Sequence, residues 1–238
     1  MRIRSIFLTI LFACVAAVMT AQHISYRPTP HYGQRVDEFE KQPPIDSTDI
    51  VMLGNSLTEN AKDWNQWLRT DGCVLNRGII GDTAKGILAR LSQILPGRPK
   101  AIFLMCGIND VSHGLSPEAV FSLCRQVIDS IRNGSPTTKL YVESLLPILE
   151  NSRWKSLHGK TNDIAAINTM LQDYCQQNGI TFIDLFHKFT RGDSNVLDQP
   201  YSADGLHVTR FGYKVWASEL RPYIKEITGK RFTLLQQP

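Results

Sequence analysis

Ser56 lies between a segment with the pattern of a buried strand and a segment expected to be helical. The preceding segment, Ile50–Gly54, contains four apolar residues and a glycine, a pattern typical of a strand covered on both faces of a parallel sheet. Ligands of open α/β sheets bind at the carboxyl ends of the strands, so a serine at this position is well placed to act as a nucleophile. Serine is also a favoured N-cap, and this segment alone is equally compatible with a capping role.

Three further polar clusters occur later in the chain, two of them directly after predicted strands. They are Gly78-Ile79-Ile80-Gly81-Asp82-Thr83, Gly107-Ile108-Asn109-Asp110 and Asp204-Gly205-Leu206-His207. The carboxyl ends of parallel strands meet at one edge of a sheet, and ligands bind at that edge. We therefore expect all four polar clusters to lie at the rim that carries Ser56.

The residue types in these clusters are those that ester hydrolysis by a serine requires. His207 can accept the proton of Ser56, and Asp204 can hold the imidazole in the correct tautomer from a tight loop. The Gly81 backbone N–H and the Asn109 side-chain amide can donate to a developing oxyanion. Taken singly, each cluster has another interpretation: a helix cap, a turn, or half of a metal site. Their combination indicates a hydrolase.

In this order and spacing, the four clusters resemble the SGNH hydrolases, also called the GDSL esterase/lipase family, from about residue 49 to about residue 220. The resemblance implies that Ser56 is the nucleophile, His207 the base and Asp204 the third member of a triad. It also implies an oxyanion hole made by the backbone N–H groups of Ser56 and Gly81 and the side chain of Asn109. The chain is most similar to the single-domain branch that includes platelet-activating-factor acetylhydrolase subunits and bacterial sialate or carbohydrate O-acetylesterases.

Two positions depart from the family pattern. Asn55 stands where the family usually has Asp before the nucleophile, so the charge is lost while a hydrogen-bonding side chain remains. We expect Asn55 to contribute to substrate binding. Val208 replaces the family's proline after the catalytic histidine. The alternative α/β-hydrolase fold would require Gly-x-Ser-x-Gly, and Thr58 is not glycine.

Strand and helix patterns alternate from about residue 49, which predicts a parallel sheet with right-handed crossovers. Strands are predicted at 49–54, 73–77, 100–106, 139–146 and 180–185. Helices are predicted at about 60–69, 84–95, 117–132, 162–178 and 210–225. We expect an α/β fold, namely a three-layer α/β/α sandwich around a five-stranded parallel sheet, flavodoxin-like as in SGNH hydrolases.

The first residues have the pattern of a secretory signal peptide. Two arginines precede an apolar run over residues 6–19, and small residues predict cleavage after Ala21. A lipoprotein signal at Cys14 is a less favoured alternative, because the apolar run continues past that residue. The sequence therefore predicts export to the periplasm or the exterior.

The rest of the chain divides into three predicted parts. Residues 22–48 form an N-terminal arm with a short helix at about 34–41, residues 49–228 the catalytic domain, and residues 229–238 a C-terminal tail. Four cysteines remain after cleavage and lie mostly in apolar runs, which favours buried free thiols over disulfides. The formal net charge of +4 falls by two with the signal peptide, and this gives no basis for binding nucleic acid or anionic membranes. No later window is apolar and long enough to cross a bilayer.

The favoured function is a secreted serine esterase that acts through an acyl-enzyme, without cofactor or metal. It would remove short acyl groups, acetyl foremost, from a glycan or sugar such as sialic acid. The histidines other than His207 show no metal-ligand spacing. Two alternatives remain: a lysophospholipase or thioesterase of the same family, and a non-catalytic glycan-binding module on this fold.

Residues 145–160, after the fourth predicted strand, are predicted to form an irregular loop at the rim that carries Ser56. Trp154 of this loop offers an aromatic face, and Arg153 or Lys155 a cation, for a sugar ring and its carboxylate. We predict that these side chains contact the alcohol part of the ester. The alternative is that Trp154 packs onto the domain while the charges remain solvated.

Overall fold

The central sheet contains five parallel strands in the part of the chain that a computed structural model describes, residues 28–150 and 152–229. The strands are β1 (Ile50–Gly54), β2 (Val74–Gly78), β3 (Ala101–Leu104), β4 (Lys139–Glu143) and β5 (Thr181–Ile183). They lie side by side in the order β2, β1, β3, β4, β5. The predicted signal peptide, Cys14 and residues 230–238 of the predicted tail lie outside the described residues.

The strand order changes direction at β1. The chain passes from β1 to β2 on one side and then crosses to β3 on the other, with Gly54 paired to Gly78 and Leu53 paired to Leu104. The loops that follow β1 and β3 therefore diverge and leave a crevice at the carboxyl edge, where ligands of such sheets bind. Ser56 follows β1 and Asn109 follows β3, so both lie at this crevice.

Helices cover both faces of the sheet. The described residues contain α1 (Pro30–Glu40), α2 (Ser56–Glu59), α3 (Trp64–Leu68), α4 (Ala84–Ala89), α5 (Ile108–Ser112), α6 (Pro117–Gly134), α7 (Thr161–Gln177), α8 (Phe186–Phe189) and α9 (Arg210–Thr228). Alternate residues of β1 divide between two apolar cores: Val51 and Leu53 pack with α4, α6 and α7, whereas Ile50 and Met52 pack with α3 and α9. The predicted three-layer α/β sandwich is confirmed.

Two predicted helices differ from the observed ones. The helix predicted at 60–69 is present only as α3, because Lys62 takes a left-handed conformation with φ of 61° and Asp63 then caps a new helix. The helix predicted at 84–95 ends at Ala89 and continues as two short 3-10 turns. Both changes shorten the regular structure beside the crevice.

The described part of the N-terminal arm packs against the loop that follows β2. Thr29 caps α1, and Tyr32 and Phe39 on one side of this helix form a small apolar cluster with Ile79. The Tyr32 hydroxyl donates to the Gly86 carbonyl oxygen over 2.8 Å. The arm therefore lies on the segment that leads to Gly81.

The four cysteines of the described residues are free thiols, as predicted. Cys106, Cys124 and Cys175 are buried, and Cys73 is partly exposed. No helix within the described ranges combines the length and the apolar character that crossing a membrane would need.

Candidate active site

Ser56 is the first residue of α2, directly after β1. The N-cap of this helix is Asn55, whose Oδ1 accepts a hydrogen bond from the Leu57 backbone N–H over 3.0 Å. The N–H groups of a first helical turn have no partner within the helix, which leaves the Ser56 N–H suited to an oxyanion. Asn55 itself is fully buried. The side chain of Asn55 is thus enclosed by the protein and caps α2, and its contact with a substrate stays a prediction.

Ser56, His207 and Asp204 form a continuous hydrogen-bonded series. His207 Nε2 lies 3.1 Å from Ser56 Oγ, and His207 Nδ1 lies 2.8 Å from Asp204 Oδ2. The other oxygen of Asp204 accepts the backbone N–H groups of His207 at 2.7 Å and of Leu206 at 3.0 Å. One carboxylate thus holds both the ring and the backbone of the histidine, with Nε2 facing the serine.

The loop that carries Asp204 and His207 is compact because of Gly205. This glycine has φ of +86°, and a Cβ at its position would lie 2.4 Å from the Cβ of Ser152. The Ser202 hydroxyl accepts the Gly205 N–H over 2.9 Å and donates to the His207 carbonyl oxygen over 2.7 Å. A larger residue at position 205 would push this loop away from its neighbour.

Hydrogen bonding keeps Asp204 acidic. Burial alone would raise the pKa of Asp204, but hydrogen bonds from the His207 side chain and from the His207 and Leu206 backbone hold this pKa well below its usual value. Asp204 is therefore ionised at neutral pH, and its negative charge lies 2.8 Å from His207 Nδ1.

Gly81 presents its backbone N–H at a tight turn. The Asp82 N–H donates to the Ile79 carbonyl oxygen over 3.1 Å, which closes a turn with Gly81 at its third position and φ of +78°. Glycine is favoured there because other residues rarely adopt positive φ. The Gly81 N–H belongs to the central peptide of the turn and takes no part in the closing hydrogen bond, so it is suited to donate to a ligand.

Asn109 lies in the first turn of α5 and joins the Gly81 turn. One N–H of its side chain donates to the Asp82 carbonyl oxygen over 2.8 Å. A primary amide has a second N–H, and this one can donate to an oxyanion. The structure therefore places all three predicted oxyanion donors at the same edge of the sheet as Ser56 and His207.

The Gly81 turn is also held by a carboxylate that the sequence did not single out. Glu59 Oε2 accepts the Ile80 backbone N–H over 2.5 Å. The same carboxylate lies 3.0 Å from His31 Nε2 and 3.6 Å from Arg35 Nε, both on α1. The N-terminal arm is thus linked through Glu59 to the residue before Gly81.

Trp154 and Arg153 lie beside the triad. The Trp154 ring meets the His207 ring edge to face at 5.2 Å between centroids, and the Arg153 guanidinium carbon lies 4.9 Å from the Trp154 ring centre. Arg153 Nη2 also contacts Asp204 Oδ2 at 3.0 Å. The loop is irregular as predicted, apart from a 3-10 turn at Lys155–Leu157. The loop lies at the rim that carries Ser56, as expected for a segment that follows β4.

A family model for the GDSL-like lipase/acylhydrolase family matches residues 52–215. The chain belongs to this family. The match contains each residue of the hydrogen-bonded series, together with Gly81 and Asn109. The predicted family and the predicted enzyme class, a hydrolase of acyl esters, are confirmed.

Named relatives of this GDSL-like hydrolase include two kinds of enzyme. An N-acylneuraminate cytidylyltransferase of Streptococcus agalactiae serotype III is 27% identical over 180 residues, 74% of this chain and 39% of that protein. Platelet-activating factor acetylhydrolase IB subunit alpha1 of Bos taurus is 24% identical over 188 residues, 77% of this chain and 75% of that protein. The chain spans only 33–39% of the length of the streptococcal cytidylyltransferases that it matches.

Solved structures share the fold of this GDSL-like hydrolase. A GDSL-like lipase from Bacteroides thetaiotaomicron superposes with a TM-score of 0.72 and 21% identity, covering 82% of this chain and 97% of the other. An acetyl xylan esterase superposes with a TM-score of 0.61 and 18% identity, covering 74% of this chain and 99% of the esterase. At such identities the likeness concerns the arrangement of strands and helices.

We predict that kcat/KM of this GDSL-like hydrolase rises between about pH 5 and 8, the range in which histidine side chains commonly lose their proton. His207 must be neutral to accept the proton of Ser56. Asp204 has a pKa held well below its usual value, so it stays ionised between pH 5 and 8. Its titration therefore causes no change in kcat/KM within this range. A profile of kcat/KM against pH, measured on a soluble acetate ester, tests this prediction.

The control for that profile is Asp82→Asn. Burial raises the pKa of Asp82 to about 6, so this carboxyl also titrates within the measured range. If His207 is the base, the rise with pH persists in Asp82→Asn. A profile that is flat in the wild type, or that becomes flat in this variant, would contradict the role of His207.

Proposed function

We propose that the protein is a secreted serine esterase that removes short acyl groups, acetyl foremost, from hydroxyl groups of a sugar or glycan such as sialic acid. The observation that carries the proposal is the series from Asp204 through His207 to Ser56, with contacts of 2.8 and 3.1 Å. Such a series activates a serine for acyl transfer. The family membership of the chain supports the same chemistry.

The reaction follows from the positions of these groups. Ser56 Oγ attacks the ester carbonyl carbon while His207 Nε2 takes the hydroxyl proton, and the carbonyl oxygen becomes an oxyanion. The N–H groups of Ser56, Gly81 and Asn109 donate to that oxygen. The intermediate collapses, the C–O bond to the alcohol breaks, and His207 gives its proton to the departing oxygen. Ser56 then carries the acyl group.

Water completes the cycle. His207 takes a proton from a water molecule, whose oxygen attacks the acyl carbon of the Ser56 ester. A second oxyanion forms against the same donors and collapses, returning the proton to Ser56 Oγ and releasing the carboxylic acid. Asp204 remains ionised throughout and stabilises the imidazolium formed in each half of the reaction.

The loop that carries Trp154 and Arg153 supports a sugar as the alcohol part of the substrate. The Trp154 ring lies against His207, the residue that protonates the leaving alcohol, so a sugar departing from the acyl group would pass next to the indole. Arg153 adds an exposed cation on the same side, suited to the carboxylate of an acidic sugar. The names of the neuraminate and acetylhydrolase relatives agree with an acetylated acidic sugar as substrate.

We expect Trp154→Ala to lower kcat/KM for an acetylated sialic acid roughly tenfold, because a lost aromatic contact is worth up to about 1.5 kcal/mol beyond its buried area. Turnover of p-nitrophenyl acetate should change far less, because its leaving group is small. Both substrates are assayed with purified variants, together with p-nitrophenyl esters of longer acyl chains.

A matched control for Trp154→Ala is Phe211→Ala, which removes an exposed aromatic side chain from the start of α9. This control should retain the wild-type ratio between the two acetate substrates. Equal losses on both substrates in Trp154→Ala, with a lowered melting temperature, would contradict sugar binding by the loop. Preference for long acyl chains would instead support a lysophospholipase or thioesterase.

Export is proposed from residues 1–21, whose pattern is that of a secretory signal peptide. Mass spectrometry of the protein from the producing cell tests it. A mature chain beginning at or near Gln22 is the expected result. A full-length chain retained in the cytoplasm would contradict export, and a lipid on Cys14 would replace free secretion with anchoring.

A further inference from the structure

A fully buried ion pair lies behind the candidate oxyanion hole. Arg90 follows α4, and its Nε donates to Asp82 Oδ2 over 2.9 Å. The side chains of Arg90 and Asp82 are only 1% and 0% exposed. Removing two charges from water is costly, and a buried ion pair is often no more stabilising than apolar residues of similar size. Stability alone is therefore a weak explanation for this pair.

Arg90 also contacts the strand that leads to the nucleophile. Its Nη2 donates to the Gly54 carbonyl oxygen over 3.1 Å. The same oxygen accepts the N–H of Ile79, the first residue of the Gly81 turn, over 3.1 Å. Gly54 is the last residue of β1 and precedes Ser56 by two positions. One guanidinium thus links the end of β1 to the turn that carries Gly81.

Asp82 connects the third donor to the same pair. Its side chain binds Arg90, while its backbone carbonyl oxygen accepts the Asn109 side-chain N–H over 2.8 Å. Asp82 is also the residue directly after Gly81. The segments that carry Ser56, Gly81 and Asn109 therefore all meet at the Arg90–Asp82 pair or at a residue that it contacts.

The geometry of the guanidinium explains why arginine occupies this position. Its planar fork can donate to a carboxylate with one nitrogen and to a backbone carbonyl with another, in fixed relative directions. A lysine ammonium is a single point of charge and cannot reproduce both directions at once. The distance between the end of β1 and the Asp82 carboxylate is thus set by one rigid group.

We propose that Arg90 and Asp82 are positioning residues that set the spacing of the three oxyanion donors. The proposal rests on the proposed function, because it assigns these residues a role in stabilising the same transition state. Donors aimed in advance at a developing charge contribute through their geometry, and small displacements weaken them. Loss of the pair should therefore lower kcat more than it raises KM.

The decisive variant is Arg90→Lys, which keeps the charge but loses the fork. We expect its kcat on p-nitrophenyl acetate to fall roughly 10- to 100-fold, with KM changed less than about threefold. The rate at which an organophosphonate modifies Ser56 should fall by a similar factor, because its tetrahedral phosphorus places an oxygen in the oxyanion hole. The stoichiometry of that reaction counts the folded active sites, so rates are expressed per competent enzyme.

Asp82 supplies a second pair of variants. Asp82→Asn keeps an oxygen acceptor for Arg90 and should retain more of kcat than Asp82→Ala, which removes the acceptor. This ranking does not depend on whether Arg90→Lys folds well. Equal kcat values per active site for the two Asp82 variants would contradict positioning by the side chain.

Arg221→Lys is the matched control. Arg221 donates through Nε and Nη2 to the Trp67 carbonyl oxygen at 3.3 and 2.9 Å, joining α9 to α3. We expect this variant to lose melting temperature while keeping kcat per active site. If Arg90→Lys also lowers the melting temperature and leaves kcat per active site unchanged, the Arg90–Asp82 pair is structural and the positioning proposal is wrong. The proposed function would not be affected by that result. A wild-type protein without esterase activity would overturn both.

Discussion

Replacing Ser56 with alanine is expected to abolish ester hydrolysis, by roughly 10⁶-fold in kcat, the loss seen when a serine nucleophile is removed from a complete triad. The substitution removes only the hydroxyl oxygen that His207 faces at 3.1 Å. The cap of α2 is the Asn55 side chain, so the helix keeps its start. We therefore expect an inactive protein with wild-type circular dichroism and a similar melting temperature.

The measurement combines turnover of p-nitrophenyl acetate with labelling by an organophosphonate and mass spectrometry of the labelled peptide. Ser218→Ala is the control, because it removes a serine hydroxyl that donates to the Val215 carbonyl oxygen on α9 and does not face His207. It should keep full activity. Labelling of another serine or of Cys106, or persistent labelling in Ser56→Ala, would show that the nucleophile is a different residue.

Asn109→Ala is expected to lower kcat by roughly 10²- to 10³-fold with a smaller change in KM, because an oxyanion donor acts on charge that forms only in the transition state. Kinetics on p-nitrophenyl acetate and the melting temperature of the same preparation are the two measurements. An unchanged kcat per active site would show that the Asn109 side chain serves only to bind the Asp82 carbonyl oxygen.

The control for Asn109→Ala is Asn65→Ala. The Asn65 amide also bridges backbone groups, donating to the Val74 carbonyl oxygen and accepting the Val74 N–H. Val74 begins β2, at the opposite end of the strand from the Gly81 turn. Loss of this side chain should lower stability while leaving kcat per active site unchanged. Similar kcat losses in the two variants would mean that general loosening, rather than a missing donor, explains the result.

The position of the site could be predicted from the sequence because strand ends are local signals. Strands β1 and β3 are short apolar runs. Polar residues that follow the strands of a parallel sheet emerge at the same edge. This reasoning predicts that Ser56, Gly81 and Asn109 lie at one rim of the sheet. The order of motifs then added Asp204 and His207, which the structure places within hydrogen-bonding distance of each other.

The sequence left open which of two neighbouring residues, Asn55 or Ser56, caps the helix after β1. Asparagine is as good an N-cap as serine, and only one of two neighbouring residues can cap a given helix. The capping role left open for Ser56 belongs to Asn55, and this places the serine one position later, inside the first turn. Capping preferences alone do not choose between Asn55 and Ser56, because the choice depends on how the chain leaves β1.

Arg90 and Glu59 escaped prediction because their partners are distant in the sequence. In the helix predicted at 84–95, Arg90 would share a face with Ile87 and Ile94. A charged residue within that apolar stripe was the one available signal. Its contact with Gly54 spans 36 residues, and that of Glu59 with Ile80 spans 21. The short helices α5 and α8 were missed because four or five residues give no periodic pattern.

The hydrogen bond between Ser56 and His207 joins residues 151 positions apart in the chain. The proposed nucleophile and the proposed oxyanion donors lie in the first half of the chain, whereas the proposed base lies in the segment that leads into α9. That helix is tied to the nucleophile's helix by the Tyr213 hydroxyl, which donates to the Leu57 carbonyl oxygen over 2.7 Å. Under the proposed mechanism, a chain that still lacks α9 during synthesis would hold a serine without its base, so hydrolysis would begin only after α9 has docked.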